Sequence, residues 1–358
     1  MGKRVIGLDV ARALAIIGMI IVNFKVILGS DSTNWVKNIA NIFDGKAAAT
    51  FVVLAGVGLA LMTNSAIKSN DDVRLKALKI RIAKRALFLF VVGLSYIAIW
   101  PADILHFYGI YMLVILLFLT KKQNTILLLA GLFIIAFPLL LMFFNYESGW
   151  DFTSLSYSKF WTINGFIRNL FFNGFHPVVP WVAFMLVGYW FGKQNLNDNR
   201  FIKKMLLISA IAFVIIQLLS YSFITILSNG DIKTTKELTE ILGTNPMPPM
   251  PLYMLNGISI AIAIISACIL LSKQFERNKM INALEKTGQL ALTFYVAHIV
   301  IGIGLIEIIN PEKIGVYSIQ FSVLYALSFS FFCIIFAIIW RKFKTSGPLE
   351  WIMRKLTD

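Results

Sequence analysis

Asp103 and His106 stand three positions apart in ADILHFYGI. On a helix, that spacing sets a carboxylate beside an imidazole, which fixes the ring tautomer and equips it as a general base. The same residues also read as a helix start, with Asp103 capping the next helix after Trp100-Pro101. The other two of the three histidines are His176, before PVVPW, and His298, in LALTFYVAHIVIG with Tyr295 one turn earlier. His176 reads as a headgroup-level loop residue or as a base. His298 falls in the middle of an apolar run, where an ionisable group signals function unless it is a neutral hydrogen-bonding link between helices. A third group lies on LDVARALAIIGMIIVNF, residues 8–24. At about 100° per residue, Asp9 and Arg12 fall about 60° apart, and Asn23 returns to within about 20° of Arg12, roughly 21 Å along the axis from Asp9. That polar stripe should face the protein interior and border a cavity used by a ligand.

The elements that must hold these groups are membrane-spanning helices. The chain has 358 residues, of which 58% are hydrophobic and 14% charged, with a mean hydropathy of +0.77. Apolar runs of about 20 residues recur from end to end, which excludes a soluble domain. The expected fold is an all-α polytopic transmembrane helix bundle of about ten spans: 5–28, 42–62, 84–100, 103–120, 125–144, 178–192, 205–227, 251–272, 290–309 and 321–340. With the N-terminus inside, the outer segments hold only Lys37, Lys159, Arg168, Lys233, Lys236 and Lys313, and most of the 33 Lys and Arg fall on the cytoplasmic side. That asymmetry predicts ten spans with both termini cytoplasmic.

The net charge of +15 is distributed between apolar runs, so it points to the bilayer surface and not to nucleic acid. Lys3 and Arg4 precede an apolar stretch as in a signal peptide, but the stretch is too long and contains Asp9 and Arg12, so no cleavage is expected. Cys268 and Cys333 lie inside spans, which indicates neither a disulfide nor a metal site. Residues 1–346 are expected to form the membrane domain and 347–358, GPLEWIMRKLTD, a short cytoplasmic helix lying in the interface. The outer connections are 145–177, rich in aromatics, and 228–250, whose GTNPMPPMP predicts an extended lid or loop. Asn23, Asp44, Lys46, Asp103, His106, Arg168, Asn173 and His176 all map to the outer half, while Gln217 and Asn256 read as interhelical hydrogen-bonding groups. The basic run KALKIRIAKRALFLF, 76–90, serves topology and anionic lipid, or docks a phosphorylated cytosolic ligand.

RVIGLDVARALAIIGMIIVNF (4–24) resembles the opening motif of the transmembrane acyltransferase superfamily. FDGKAAATFVVLAGVG (43–58), ADILHFYGI (102–110), PWVAFMLVGYWFG (180–192), GQLALTFYVAHIVIG (288–302) and GPLEW (347–351) extend the likeness over nearly the whole chain. The match is similar to heparan-α-glucosaminide N-acetyltransferase and to the YeiB-like bacterial membrane families. The resemblance implies an acyltransferase that takes an acyl group, acetyl by precedent, from cytosolic acyl-CoA and passes it to a sugar or amine at the outer face of a bacterial cytoplasmic (inner) membrane. It maps Asn23 to the catalytic-site asparagine and Asp9 and Arg12 to the motif's cytoplasmic acid and base. Asn34 stands where the sugar acetyltransferase has its catalytic histidine, and Ala13 where the bacterial families commonly have glycine. Asparagine is no base, so His106 oriented by Asp103, or else His176 or His298, must replace the missing histidine.

On this reading Arg12, Arg81 and Arg85 receive the nucleotide phosphates, Asp9 and Arg12 line the way of the pantetheine arm, and Asn23 stabilises the oxyanion. No metal is required and no glycine-rich nucleotide loop is visible. The partners are the lipid bilayer and a small-molecule or glycan acceptor, and a homodimer is compatible with the sequence. A transporter or flippase for an anionic or amphiphilic solute would use the same polar interior without chemistry.

Overall fold

The structure is a computed structural model and describes residues 4–29, 35–152 and 155–358. Lys3 and Asn34 lie outside them. Each expected span carries a helix: α1 (Ile6–Leu28), α3 (Lys46–Lys68) after the short α2 (Trp35–Asn41), α4 (Asp72–Ser95), α5 (Leu105–Leu116) and α6 (Gln123–Leu141). After α7 (Ile163–Arg168) come α8 (Val178–Gly192), α9 (Asn199–Ser228), α10 (Ile232–Leu242), α11 (Pro251–Gln274) and α12 (Lys279–Gly288). The expected 290–309 span is α13 (Ala291–Ala297), a π-helical segment (His298–Ile303) and α14 (Gly304–Ile309), followed by α15 (Ile319–Phe343) and the tail helix α16 (Pro348–Thr357). The chain is an all-α, multi-pass membrane protein.

Among the described residues, seven helical stretches are long and apolar enough to cross a bilayer, and an eighth forms if 163–173 and 178–192, bent by 48°, count as one span. The expected spans at 84–100 and 103–120 are less complete. α4 begins with the basic run, and α5 has 12 residues, about 18 Å at 1.5 Å per residue, against roughly 30 Å of hydrocarbon. The 228–250 connection also differs from the expected extended lid. Its first half is α10, capped by the Asp231 carboxylate accepting from Thr234 N. The prolines act only beyond Gly243, where the helix has ended.

The chain divides into two compact units, and the boundary between them falls inside α3, α9 and α11 and at the last residue of α16. The first comprises residues 1–51, 196–206 and 261–356, the second 52–195, 207–260 and 357–358. In the first, α1 packs on α12, α13 and α15, burying Ile16, Ile20, Phe24 and Leu28. α16 is tied down by one side chain. Glu350 accepts from Leu292 N (2.8 Å), Thr293 N (3.1 Å) and Thr293 Oγ1 (2.5 Å), so it satisfies free donors at the start of α13. In the second unit, α4 packs on α5, and α8 packs on α5 and α6. The α3–α8 crossing depends on bare backbone: a Cβ on Gly188 would stand 2.0 Å from Val53 O, and one on Gly56 2.1 Å from Met185 O.

Two predictions follow from these contacts. Gly188→Ala should destabilise by about 1–3 kcal/mol, because a buried carbonyl cannot retreat. Gly131→Ala, where a Cβ meets nothing within 4 Å, should be neutral or stabilising by up to about 1 kcal/mol. Thermal unfolding in detergent compares the two. Burial raises the Glu350 carboxyl above its ordinary range, against the pull of its three donors. The folded state therefore favours the protonated acid, so its contribution is fullest below the ordinary carboxylate range and is lost as pH rises through the raised folded value. Glu350→Gln should flatten that part of the stability–pH curve. Glu350→Ala should cost about 1–3 kcal/mol throughout, by orphaning two backbone donors.

Candidate active site

In the second unit, α4 ends at Ser95, and the chain turns through Tyr96–Ala102 before α5. That turn brings Tyr96 back onto Asp103. The Asp103 carboxylate accepts from Tyr96 Oη at 2.5 Å on Oδ1, and from His106 Nδ1 at 2.9 Å and His106 N at 3.1 Å on Oδ2. Asp103 thus accepts from the first turn of α5 and from the imidazole at once. With Nδ1–H directed at Asp103, the lone pair sits on Nε2. Asp103 and His106 are buried, and Nε2 has no hydrogen-bond partner. This is the arrangement of an oriented base with a vacant accepting nitrogen.

Gly93 makes that pair possible. A Cβ there would lie 2.4 Å from Asp103 Oδ2 and 2.5 Å from His106 N, while one on Gly109 would lie 2.5 Å from Ala86 O. The two glycines allow α4 and α5 to touch backbone to backbone.

His176 lies at the break before α8. Its carbonyl accepts from Tyr111 Oη. Its ring stands edge-on to Trp181 (centroids 4.6 Å) and to Phe107 (6.0 Å), and Phe107 lies 3.9 Å from the His106 ring. Phe107 therefore packs against both imidazoles. His176 Nδ1 is buried without a partner. Asn173, at the end of the π segment Asn169–Asn173, is structural: its amide donates to Tyr146 O and Ser148 O and accepts from Tyr157 Oη, which in turn accepts from Arg168 Nε.

In the first unit, Asn23 Nδ2 donates to His298 Nε2 at 2.8 Å, leaving His298 Nδ1 to donate to Phe294 O at 3.3 Å. His298 is fully buried, with Tyr295 against it. At the other end of α1, buried Asp9 takes Arg12 Nη1 at 2.5 Å and Arg4 Nη2 at 2.7 Å. The polar stripe of α1 thus ends in side-chain partners at both poles. A cavity of about 300 Å³ near Asp9 has Arg4, Lys273, Ser272 and Asn199 in its wall. Lys25 is paired as well, to Asp44 at 2.6 Å and to Asn41 at 2.8 Å.

Arg85 Nη2 and Arg81 Nε, in the second unit, hold the Asp358 side chain at 2.7 and 3.4 Å. Burial opposes the Asp358 charge, yet Arg85 and Arg81 keep the carboxyl below its ordinary range. The two guanidinium groups therefore form an anion site that the chain's own carboxylate occupies. Gln217 Oε1 accepts from Thr244 Oγ1, and Asn256 is buried with its amide unpartnered. Tyr96 and Gly93, which hold Asp103 in place, and Glu350, which ties down α16, are residues that sequence reasoning missed. A tyrosine and a glycine in an apolar run look like packing, and only GPLEW hinted at Glu350.

The fold and these paired interior groups define a multi-pass helical membrane protein. Residues 4–222 match the family model described as heparan-alpha-glucosaminide N-acetyltransferase, catalytic, and residues 189–358 match one described as a protein of unknown function, DUF418. The first match covers more than half the chain, so the protein belongs to the heparan-alpha-glucosaminide N-acetyltransferase catalytic family, a family of membrane acyl- or acetyltransferases. A comparison with curated proteins finds no match.

Tyr96→Phe should remove a hydrogen bond to a buried carboxylate and cost about 1.5–3 kcal/mol of stability. Gly93→Ala should cost more, because Asp103 and the backbone of α5 must both move. Thermal unfolding of the purified variants in detergent ranks them, and equal stabilities would contradict the geometry.

Proposed function

We propose that the protein is a membrane-bound acyltransferase in a bacterial cytoplasmic membrane, moving an acyl group, acetyl by the family's precedent, from cytosolic acyl-CoA to a sugar or amine acceptor at the extracytoplasmic face. The observation that carries this reading is the Asp103–His106 pair with a buried, unpartnered Nε2. Few structural needs are met by leaving a buried acceptor without a donor, whereas a base awaiting substrate requires it.

Arg81 and Arg85 fit the phosphates of acyl-CoA, since they already bind a carboxylate. Arg85 and Gly93 lie on the same helix, roughly 12 Å apart along its axis, so one rigid element joins the anion site to the base. The thioester of acyl-CoA supplies the activated acyl carbon. His106 Nε2 takes the proton from the acceptor's hydroxyl or amine as that atom bonds to the acyl carbon, and returns it to the sulfur as the C–S bond breaks. Asp103 holds Nδ1–H throughout and stabilises the transient imidazolium, while Tyr96 and the His106 backbone N–H fix Asp103. Asn34, where the related sugar acetyltransferase has its histidine, makes the role of His106 the distinguishing feature of the mechanism. His298 has both nitrogens engaged and serves, with Asn23, as a link between α1 and the α13 region.

A carrier for an anionic or amphiphilic solute has one observation in its favour, the interrupted helices at 163–192 and 291–309. The assay that decides is CoA release from acyl-CoA on mixing with candidate acceptors. His106→Gln should lower turnover by about 10²–10⁴-fold, Asp103→Asn should lower it markedly, and His298→Gln should retain most of it if folded. Solute uptake into proteoliposomes with no CoA release would establish the carrier.

A further inference from the structure

In the second unit a cavity of about 430 Å³ opens between the end of α4 and the 150–169 segment, within the size range of small-molecule sites. Its wall is aromatic, with Trp150, Tyr157, Phe160 and Trp161, and it includes Lys159 and Asn169. No acidic residue lines it among the described residues. Two of the rings are locked from behind: Trp150 Nε1 donates to Asn173 O, and Tyr157 Oη is held between Arg168 and Asn173. Trp161 is 72% exposed and meets Phe160 edge-on at 5.0 Å, so a large ring face is left bare. Phe160 in turn stands perpendicular to the His106 ring, with centroids 6.5 Å apart. The cavity therefore backs onto the base.

Bare aromatic faces beside a few polar groups suit a ligand with one apolar and one polar side. A pyranose ring is such a ligand: its C–H face lies on an aromatic ring while its hydroxyls reach amides. Asn169, almost fully buried on the π segment, provides the amide. Lys159 decides the charge. It has no carboxylate partner among the described residues, and with no acid in the wall a protonated amine would be repelled while an anionic substituent would be held.

We propose that this cavity is the acceptor site and that it selects a sugar carrying an anionic group, stacked on Trp161 and paired with Lys159. This inference rests on the acyltransferase reading and narrows it to O-acylation. The sugar O–H gives its proton to His106 Nε2 as the O–C bond to the acyl carbon forms, the C–S bond of acyl-CoA breaks, and the CoA sulfur takes the proton.

Calorimetric titration of the protein in nanodiscs with methyl glucuronide, methyl glucoside and glucosamine tests it without any turnover. The glucuronide should bind about tenfold more tightly than the glucoside, and glucosamine most weakly. Lys159→Gln should abolish the preference for the glucuronide and leave the glucoside unchanged. Trp161→Ala should weaken both sugars about tenfold, while Trp161→Phe should largely restore them. Equal affinity for the three sugars, no binding, or a Trp161→Ala variant that binds normally would overturn the proposal, the last identifying Trp161 as an interfacial anchor. Binding as expected with no CoA release would leave this site standing and refute the acyltransferase reading. CoA release to an amine acceptor without sugar binding would do the reverse.

Discussion

A polar group inside an apolar helix bundle must find a partner within the protein, because the bilayer offers none. Several of the polar side chains singled out in the sequence obey that constraint. Asp9 holds two guanidinium groups, Asn23 holds His298, Lys25 holds Asp44, and Asp103 takes three donors. These pairs determine where the helix ends can sit, since moving one element would strand a charge. Against that background a buried nitrogen without a partner is informative. Among the described residues such nitrogens include Trp100 Nε1, Trp181 Nε1, Asn256 Nδ2, His176 Nδ1 and His106 Nε2, and the last belongs to the imidazole whose other nitrogen is held by a carboxylate.

The constraint is satisfied at short range only because backbone can approach backbone. Gly93 and Gly109 on α4 and α5, and Gly56 and Gly188 on α3 and α8, each sit where a methyl group would meet the neighbouring main chain. Association between helices in a membrane gains little from water exclusion and depends on close packing and hydrogen bonds. Glycine here serves contact, since none of these four needs a left-handed backbone. Gly93 has a second consequence, because the same close approach places the α4 backbone against Asp103 and so holds the catalytic candidate in position.

The 145–177 connection shows how a loop becomes a site. Asn173 gathers Tyr146, Ser148, Trp150 and Tyr157 through its amide and carbonyl. That single hub organises a segment whose sheet, among the described residues, is two residues per strand. The aromatic residues that composition alone would assign to a membrane interface are thereby arranged around a cavity whose Phe160 packs edge-on against the His106 ring.

The amino-acid sequence by itself determined the class. Apolar runs of bilayer length give helices, because only internally hydrogen-bonded backbone survives in hydrocarbon, and the motif order pointed to the acyltransferase family that residues 4–222 match. The i, i+3 spacing of Asp103 and His106 was legible for a similar reason: it is local, and helix geometry fixes it. What only the tertiary structure decided was every pairing across sequence distance. Asn23 with His298, Glu350 with the start of α13, Arg85 with Asp358, and Tyr96 folded back on Asp103 depend on how helices are placed. The 232–242 helix is the local exception: it was expected as loop because of the prolines that follow, and the adjacent Asp231 caps it. Helix placement is set by close contacts between glycines and by the demand that buried charge be paired. Neither leaves a periodic signal in the sequence, because each depends on a partner supplied from elsewhere in the fold.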